Sequence, residues 1–80
     1  MNDVGQEIIG IIAEEWGINK SLIDVDMSFD DLGIDSLTSL EILAKLENRY
    51  NIRIHENLLK DAANIREVIR LVQQEIKKKA

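Results

Sequence analysis

Apolar residues at Val4, Ile8, Ile11, Ile12 and Trp16 recur at the three- and four-residue intervals of a single helical stripe. Asp3 followed by Gln6 has the form of a capping box and Gly17 suits a helix stop, so a first helix is predicted over Val4–Trp16. From Gly17 to Asp35 no period is sustained; the stretch is rich in Asp and Ser and reads as a long loop. Loops of this length are uncommon unless they are functional or ordered by their own side chains, and Leu22, Ile23, Val25, Phe29 and Leu32 are placed to pin this one onto the helices. Helical spacing resumes from Ser36 to Tyr50, with Asp35 as the cap and Asn51 as the stop. Ile52 and Ile54 then alternate with Arg53 and His55, the pattern of a short extended segment, and Glu56–Asp61 has room for one or two helical turns. A second capping box, Asn64 with Glu67, opens a stripe of Ile65, Val68, Ile69, Val72 and Ile76, and Lys77, Lys78 and Lys79 close it where positive charge suits the helix dipole. The sum is an all-α fold, a small four-helix bundle of three longer helices and one short helix, with a long loop between the first two.

Eighty residues point to one domain, 1–80, since a chain this short buries only about 60% of its unfolded surface and cannot divide that core. An aromatic fraction of 4% leaves Ile, Leu and Val to build the core, and Trp16, alone on an apolar stripe, is read as core and not as a ligand platform. Cysteine and proline are both absent, which removes disulfides, Cys-based metal sites and thiol nucleophiles. The start Met1-Asn2-Asp3-Val4 lacks the basic and apolar stretches of a signal peptide, and no apolar run reaches membrane-spanning length, so a soluble, cytoplasmic monomer with no membrane partner is expected.

The formal net charge of -5 argues against nucleic-acid binding, which needs a basic stripe for the phosphates. Between Lys20 and Lys45 there is no Lys or Arg, while Asp24, Asp26, Asp30, Asp31, Asp35 and Glu41 all fall there. Such a stretch presents a negative field to basic partners. Catalytic constellations are missing: His55 is the single histidine and no glycine-rich phosphate loop occurs, so the chain is not expected to be an enzyme. Asp24, Asp26, Ser28 and Asp30 fit the first four alternate places of a calcium loop, but Phe29 stands where glycine is needed and Asp35 where a long bidentate Glu is needed. No metal site is assigned.

The informative stretch is Asp31-Leu32-Gly33-Ile34-Asp35-Ser36-Leu37, directly ahead of a helix. In it the chain resembles the acyl carrier protein family, whose attachment signature of Gly, any residue, Asp, Ser and Leu is matched by Gly33, Ile34, Asp35, Ser36 and Leu37. The resemblance runs over essentially the whole chain and implies a carrier that holds a covalent 4'-phosphopantetheine arm, from coenzyme A, on Ser36. It further implies that a phosphopantetheinyl transferase installs the arm, reading a surface that includes Asp35, and that the terminal thiol holds acyl groups as thioesters for an acyltransferase, a ketosynthase or other synthase enzymes. Physical chemistry suits the placement: a serine in the first turn of a helix projects where free N–H groups and the positive dipole end favour a phosphodiester. Gly33 is expected to let the loop turn without crowding that approach.

On a helical wheel Ser39, Ile42, Leu43, Leu46 and Tyr50 form the core stripe of the second helix, and Ser36, Leu37, Leu40, Glu41, Ala44, Glu47 and Asn48 a neighbouring face. Leu37 and Leu40, exposed beside Ser36 and Glu41, are expected to form a partner-docking patch. The family's fatty-acid-synthesis type has a strongly acidic second helix, whereas here Glu41 and Glu47 are interrupted by Lys45 and Arg49. That departure favours a free-standing carrier of polyketide or mixed polyketide and peptide biosynthesis. A fatty-acid carrier, a carrier of amino acids and, more remotely, a non-carrier helical interaction module stay open.

Overall fold

The computed structural model describes residues 3–79. Helix α1 spans Val4–Trp16, α2 spans Ser36–Tyr50, α3 spans Glu56–Asp61 and α4 spans Ile65–Lys79, with a short 3-10 turn, Lys20–Leu22, after α1. The described residues contain no strand. Each element begins where a side chain takes over an otherwise orphaned N–H. Asp3 Oδ1 accepts from Gln6 N at 3.2 Å, Asp35 Oδ1 from Thr38 N at 2.7 Å and Asn64 Oδ1 from Glu67 N at 3.0 Å. His55 caps α3 through Nδ1, which accepts from Asn57 N at 3.2 Å. Helices α1 and α2 end on left-handed residues, Gly17 and Asn51, the conformation that turns the chain out of a helix.

The stripes read from the sequence meet in one core. Ile8 and Ile12 of α1, Ile42 and Leu46 of α2 and Ile65 and Val72 of α4 are fully buried at its centre. Ile52 and Ile54 point inward from the irregular segment between α2 and α3 while Arg53 and His55 face out, and Leu59 anchors the short α3. Burial of this kind contributes roughly 1.5–3 kcal/mol per large aliphatic side chain.

Within the long connection, Ile23 is buried and Val25, Phe29 and Leu32 pack against the core. Leu22 does not: it is 61% exposed. Asn19 Oδ1 accepts from Ser21 N at 2.9 Å and starts the 3-10 turn, whose tight winding sends Leu22 outward and leaves Ile23 to fill the core position.

At the end of the bundle away from Ser36, one carboxylate ties two helices. Glu7 Oε1 accepts from the Tyr50 hydroxyl at 2.7 Å, and Glu7 Oε2 lies 3.4 Å from Arg49 Nη2. Lys79 Nζ donates to the carbonyls of Tyr50 and Asn51, so the last turn of α4 closes the carboxyl end of α2.

Burial, and next the hydrogen bond to Glu7, push the Tyr50 hydroxyl up to about 12. Because the folded value lies above the unfolded value of about 10, this group's contribution to stability is complete below pH ~10 and is lost as pH rises toward 12. Tyr50 is the chain's single tyrosine, so phenolate absorbance reads it alone. The native midpoint is expected near 12 and should fall in Glu7→Gln. A native midpoint at the ordinary tyrosine value would show that Glu7 does not hold the hydroxyl.

Candidate functional site

The chain arrives at α2 through a single helix-like turn at 28–33. Ser28 and Asp31 open it reciprocally, Asp31 Oδ2 accepting from Ser28 N at 3.0 Å and Ser28 Oγ from Asp31 N at 2.9 Å. Gly33 N–H then donates to Asp30 O at 3.0 Å and Ile34 N–H to Phe29 O at 2.9 Å, the paired bonds of a Schellman ending. That ending needs a left-handed residue, and Gly33 has φ of 74°. A Cβ added there would meet Trp16 Cζ2 at 3.8 Å, an ordinary contact facing α1. Gly33 therefore serves the turn; clearance for an approaching group, the second role expected of it, is not what the glycine provides.

Two further contacts fix this connection. The Trp16 indole Nε1 donates to Leu32 O at 2.8 Å, so the aromatic is half-buried packing with a polar end, not a wholly internal side chain. The carbonyls of Met27 and Val25 accept from Ile65 N and Arg66 N, each at 2.9 Å, and Arg66 pairs with Asp26 at 2.9 Å. Asp24 Oδ1 accepts from Asp26 N at 2.9 Å. Of the residues that mimic a calcium loop, the side chains of Asp24, Asp26 and Ser28 are thus engaged in turn formation and in holding α4.

Ile34 is buried, Asp35 and Ser36 are exposed, and α2 begins at Ser36. Thr38 holds the Asp35 carboxyl below the usual carboxylate range, its backbone N–H contributing most and its hydroxyl next, so Asp35 is ionised at neutral pH. The Thr38 N–H is capped by Asp35, and Ser39 N–H makes the first helical bond, to Asp35 O at 3.0 Å. The Ser36 and Leu37 N–H groups precede that ladder and point out of the helix end beside the Ser36 hydroxyl.

A groove of about 350 Å³ opens next to Ser36 between the connection and α2, α3 and α4. Phe29, Ile34, Leu59 and Val68 give it apolar walls, and Ser39, Lys60 and Asn64 add polar groups. The sequence pattern draws attention to neither α3 member of this lining, Leu59 or Lys60, because a short helix has too few residues to declare a face, and it marks Asn64 and Val68 only as a helix cap and a core position. An exposed serine hydroxyl, open N–H groups of the dipole's positive end and an adjoining amphipathic groove fit a phosphodiester-linked arm, which Ser36 would hold.

Along α2, Leu37 is 67% and Leu40 40% exposed, and Glu41, Ala44 and Asn48 are exposed with them. Glu47 differs from its expected place on that face. It is half-buried, and its Oε2 accepts from Ile54 N at 3.1 Å, because the buried Ile52–Ile54 segment lacks a strand partner for this N–H. Lys45 and Arg49 are likewise directed to α1: Lys45 Nζ lies 3.1 Å from Glu15 Oε1, a hydrogen bond that chiefly raises its amine above the ordinary lysine range, and Arg49 pairs with Glu7.

The chain matches the profile of the family described as "Phosphopantetheine attachment site" over residues 6–72. It is 32% identical over 79 residues to an acyl carrier protein of Cyanidium caldarium, covering 98% of this chain and 92% of the relative. An acyl carrier protein of Chloroherpeton thalassium is 30% identical over 78 residues, covering 96% and 98%, and one of Guillardia theta is 28% identical over 75 residues, covering 92% and 93%.

Gly33→Ala tests the turn. An L side chain in the left-handed region costs about 1–2 kcal/mol, and the 3.8 Å contact adds no clash, so urea unfolding should show a loss of that size and a smaller one for Gly33→Asn. Unchanged stability in Gly33→Ala would mean that the junction ahead of Ser36 is not held left-handed.

Proposed function

The chain belongs to the acyl carrier protein family, and on that premise we propose that Ser36 is the residue on which it carries a 4'-phosphopantetheine arm. Its role is carriage and not catalysis. The observation that bears most weight is the junction at the head of α2, where buried Ile34 and capping Asp35 leave the Ser36 hydroxyl outward beside open N–H groups. A phosphopantetheinyl transferase would transfer the group from coenzyme A to Ser36 Oγ, with ionised Asp35, Gly33 and Leu37 next to it as the surface to be read. The new O–P bond would replace the pyrophosphate bond, so that the adenosine bisphosphate half leaves and a base of the transferase takes the serine proton. The arm's thiol supplies the thioester chemistry that a chain without cysteine lacks. Tethering then raises the effective concentration of the acyl group at each partner's active site.

Leu37, Leu40 and Ala44, with Glu41 and Asn48 at their edge, form the surface on which an acyltransferase or ketosynthase would dock, the carrier acting as a cytoplasmic monomer. For the pathway the reading is polyketide or mixed polyketide and peptide assembly. Its support is the small acidity of this face: Glu41 is its one freely exposed carboxylate, Glu47 being occupied by Ile54 N–H.

Incubation with coenzyme A and a broad-specificity phosphopantetheinyl transferase should add one phosphopantetheine, read by intact-protein mass spectrometry. Ser36→Ala should keep its helical circular dichroism and gain nothing. An unmodified wild type, under conditions that load another carrier, would end the proposal.

For the pathway, the malonyl-loaded protein should be elongated several-fold more slowly by a fatty-acid ketosynthase than a fatty-acid carrier is. Lys45→Glu is a poor probe because it sets two carboxylates against each other at Glu15. Asn48→Glu adds an acid at an exposed position, and each such rim charge is worth about 1 kcal/mol or less, so it should restore a few-fold. Equal rates for the unsubstituted carrier and the fatty-acid carrier would favour the fatty-acid role instead.

A further inference from the structure

The groove beside Ser36 contains one cation among its lining residues, Lys60 of α3. Its fixed charges are otherwise Asp30 and Asp35. Lys60 is held only loosely: its partner is Glu56 one turn earlier, at 4.0 Å, and both side chains are about half exposed (57% and 48%). Exposed pairs at this spacing are weak and give way to a better-placed anion. The long flexible stem of a lysine, bearing a compact charge, lets it exchange partners without moving its backbone.

A phosphodiester on Ser36 would bring a fixed negative charge into a corner that already holds two carboxylates, one of them the helix cap. The open N–H groups of Ser36 and Leu37 offset part of that repulsion, and the remaining compensating group in the groove is Lys60. Resting on the reading of Ser36 as the attachment point, we propose that Lys60 is the counter-ion of the arm's phosphodiester, leaving Glu56 for it and so laying the arm along the groove. The lining suits such a course: Phe29, Leu59 and Val68 offer apolar surface to short alkyl spacers, and Ser39 and Asn64 offer polar groups to the amides between them.

The test uses the holo protein at low salt, its modification first established by mass. The 15N resonance of the Lys60 amine should shift between apo and holo forms. The 31P shift and the relaxation of the arm's methyl protons should report a docked arm that salt releases as screening grows. Lys60→Glu should lower the ratio of docked to free arm about fivefold, the size of an exposed ion pair, while Lys60→Arg keeps it and Glu56→Gln raises it. Should Lys60→Glu loosen α3, the apo-to-holo shift of the wild-type amine and its salt dependence decide the matter without it. A modified wild type whose Lys60 amine does not shift, or whose arm is insensitive to salt and to Lys60→Glu, would overturn the counter-ion. A wild type that takes no arm would overturn the attachment reading, and the counter-ion with it.

Discussion

A helical bundle tolerates a long connection across its end only if the connection's backbone polar groups find partners, since there is no ladder to supply them. In this chain the solution is shared between the loop and the helix it crosses. The first N–H groups of α4 are orphans by helix geometry, and the carbonyls of Val25 and Met27 are orphans by loop geometry; each pair satisfies the other. With the indole of Trp16 fixing Leu32 from the α1 side, the segment 25–34 is held at two points and delivers Ile34 to the core. The outward direction of Ser36 follows from that delivery, because a buried residue two positions before a helix start, with a capping one between, leaves the first helical side chain facing solvent.

Charge is arranged on the same scaffold. Glu7 and Glu15 on α1 draw Arg49 and Lys45 toward them, and Glu47 turns to the backbone of Ile54. Three of the charged side chains on α2 are thereby committed within the fold, leaving beside Ser36 a surface of leucines edged by Glu41 and the loop aspartates. Screening reduces long-range steering by such an edge, while the apolar centre is insensitive to salt.

The helices were legible because their determinants are local: stripes of Ile and Val at helical spacing, and Asp3, Asp35 and Asn64 standing where a side chain can reach a free N–H three residues on. The head of α2 could be read for the same reason. What escaped reading depends on partners distant in sequence. Nothing near Leu22 announces that the tight turn will send it outward, and nothing near Glu47 announces that Ile54 will lack an acceptor. Lys45 and Arg49 look like interruptions of an acidic helix until α1 is set against them. The groove is a product of four segments, and its α3 wall came from a helix too short to show a period. His55 as a helix cap was likewise hidden, the imidazole being an uncommon choice for that task.

The carbonyls of Val25 and Met27 hold α4 without involving their side chains in the bond. Selection that preserves this clasp therefore acts on backbone shape and hardly at all on residue identity, unlike selection at Gly33, where only a residue at ease in the left-handed region will do. An exposed loop position such as Asp30 can then be exchanged with little penalty to folding, whereas Asp24 is tied to the turn by its bond from Asp26 N. The surface around Ser36 and the frame beneath it are thereby separable: side chains on the outer side of the connection can change while the backbone clasp that carries them stays in place.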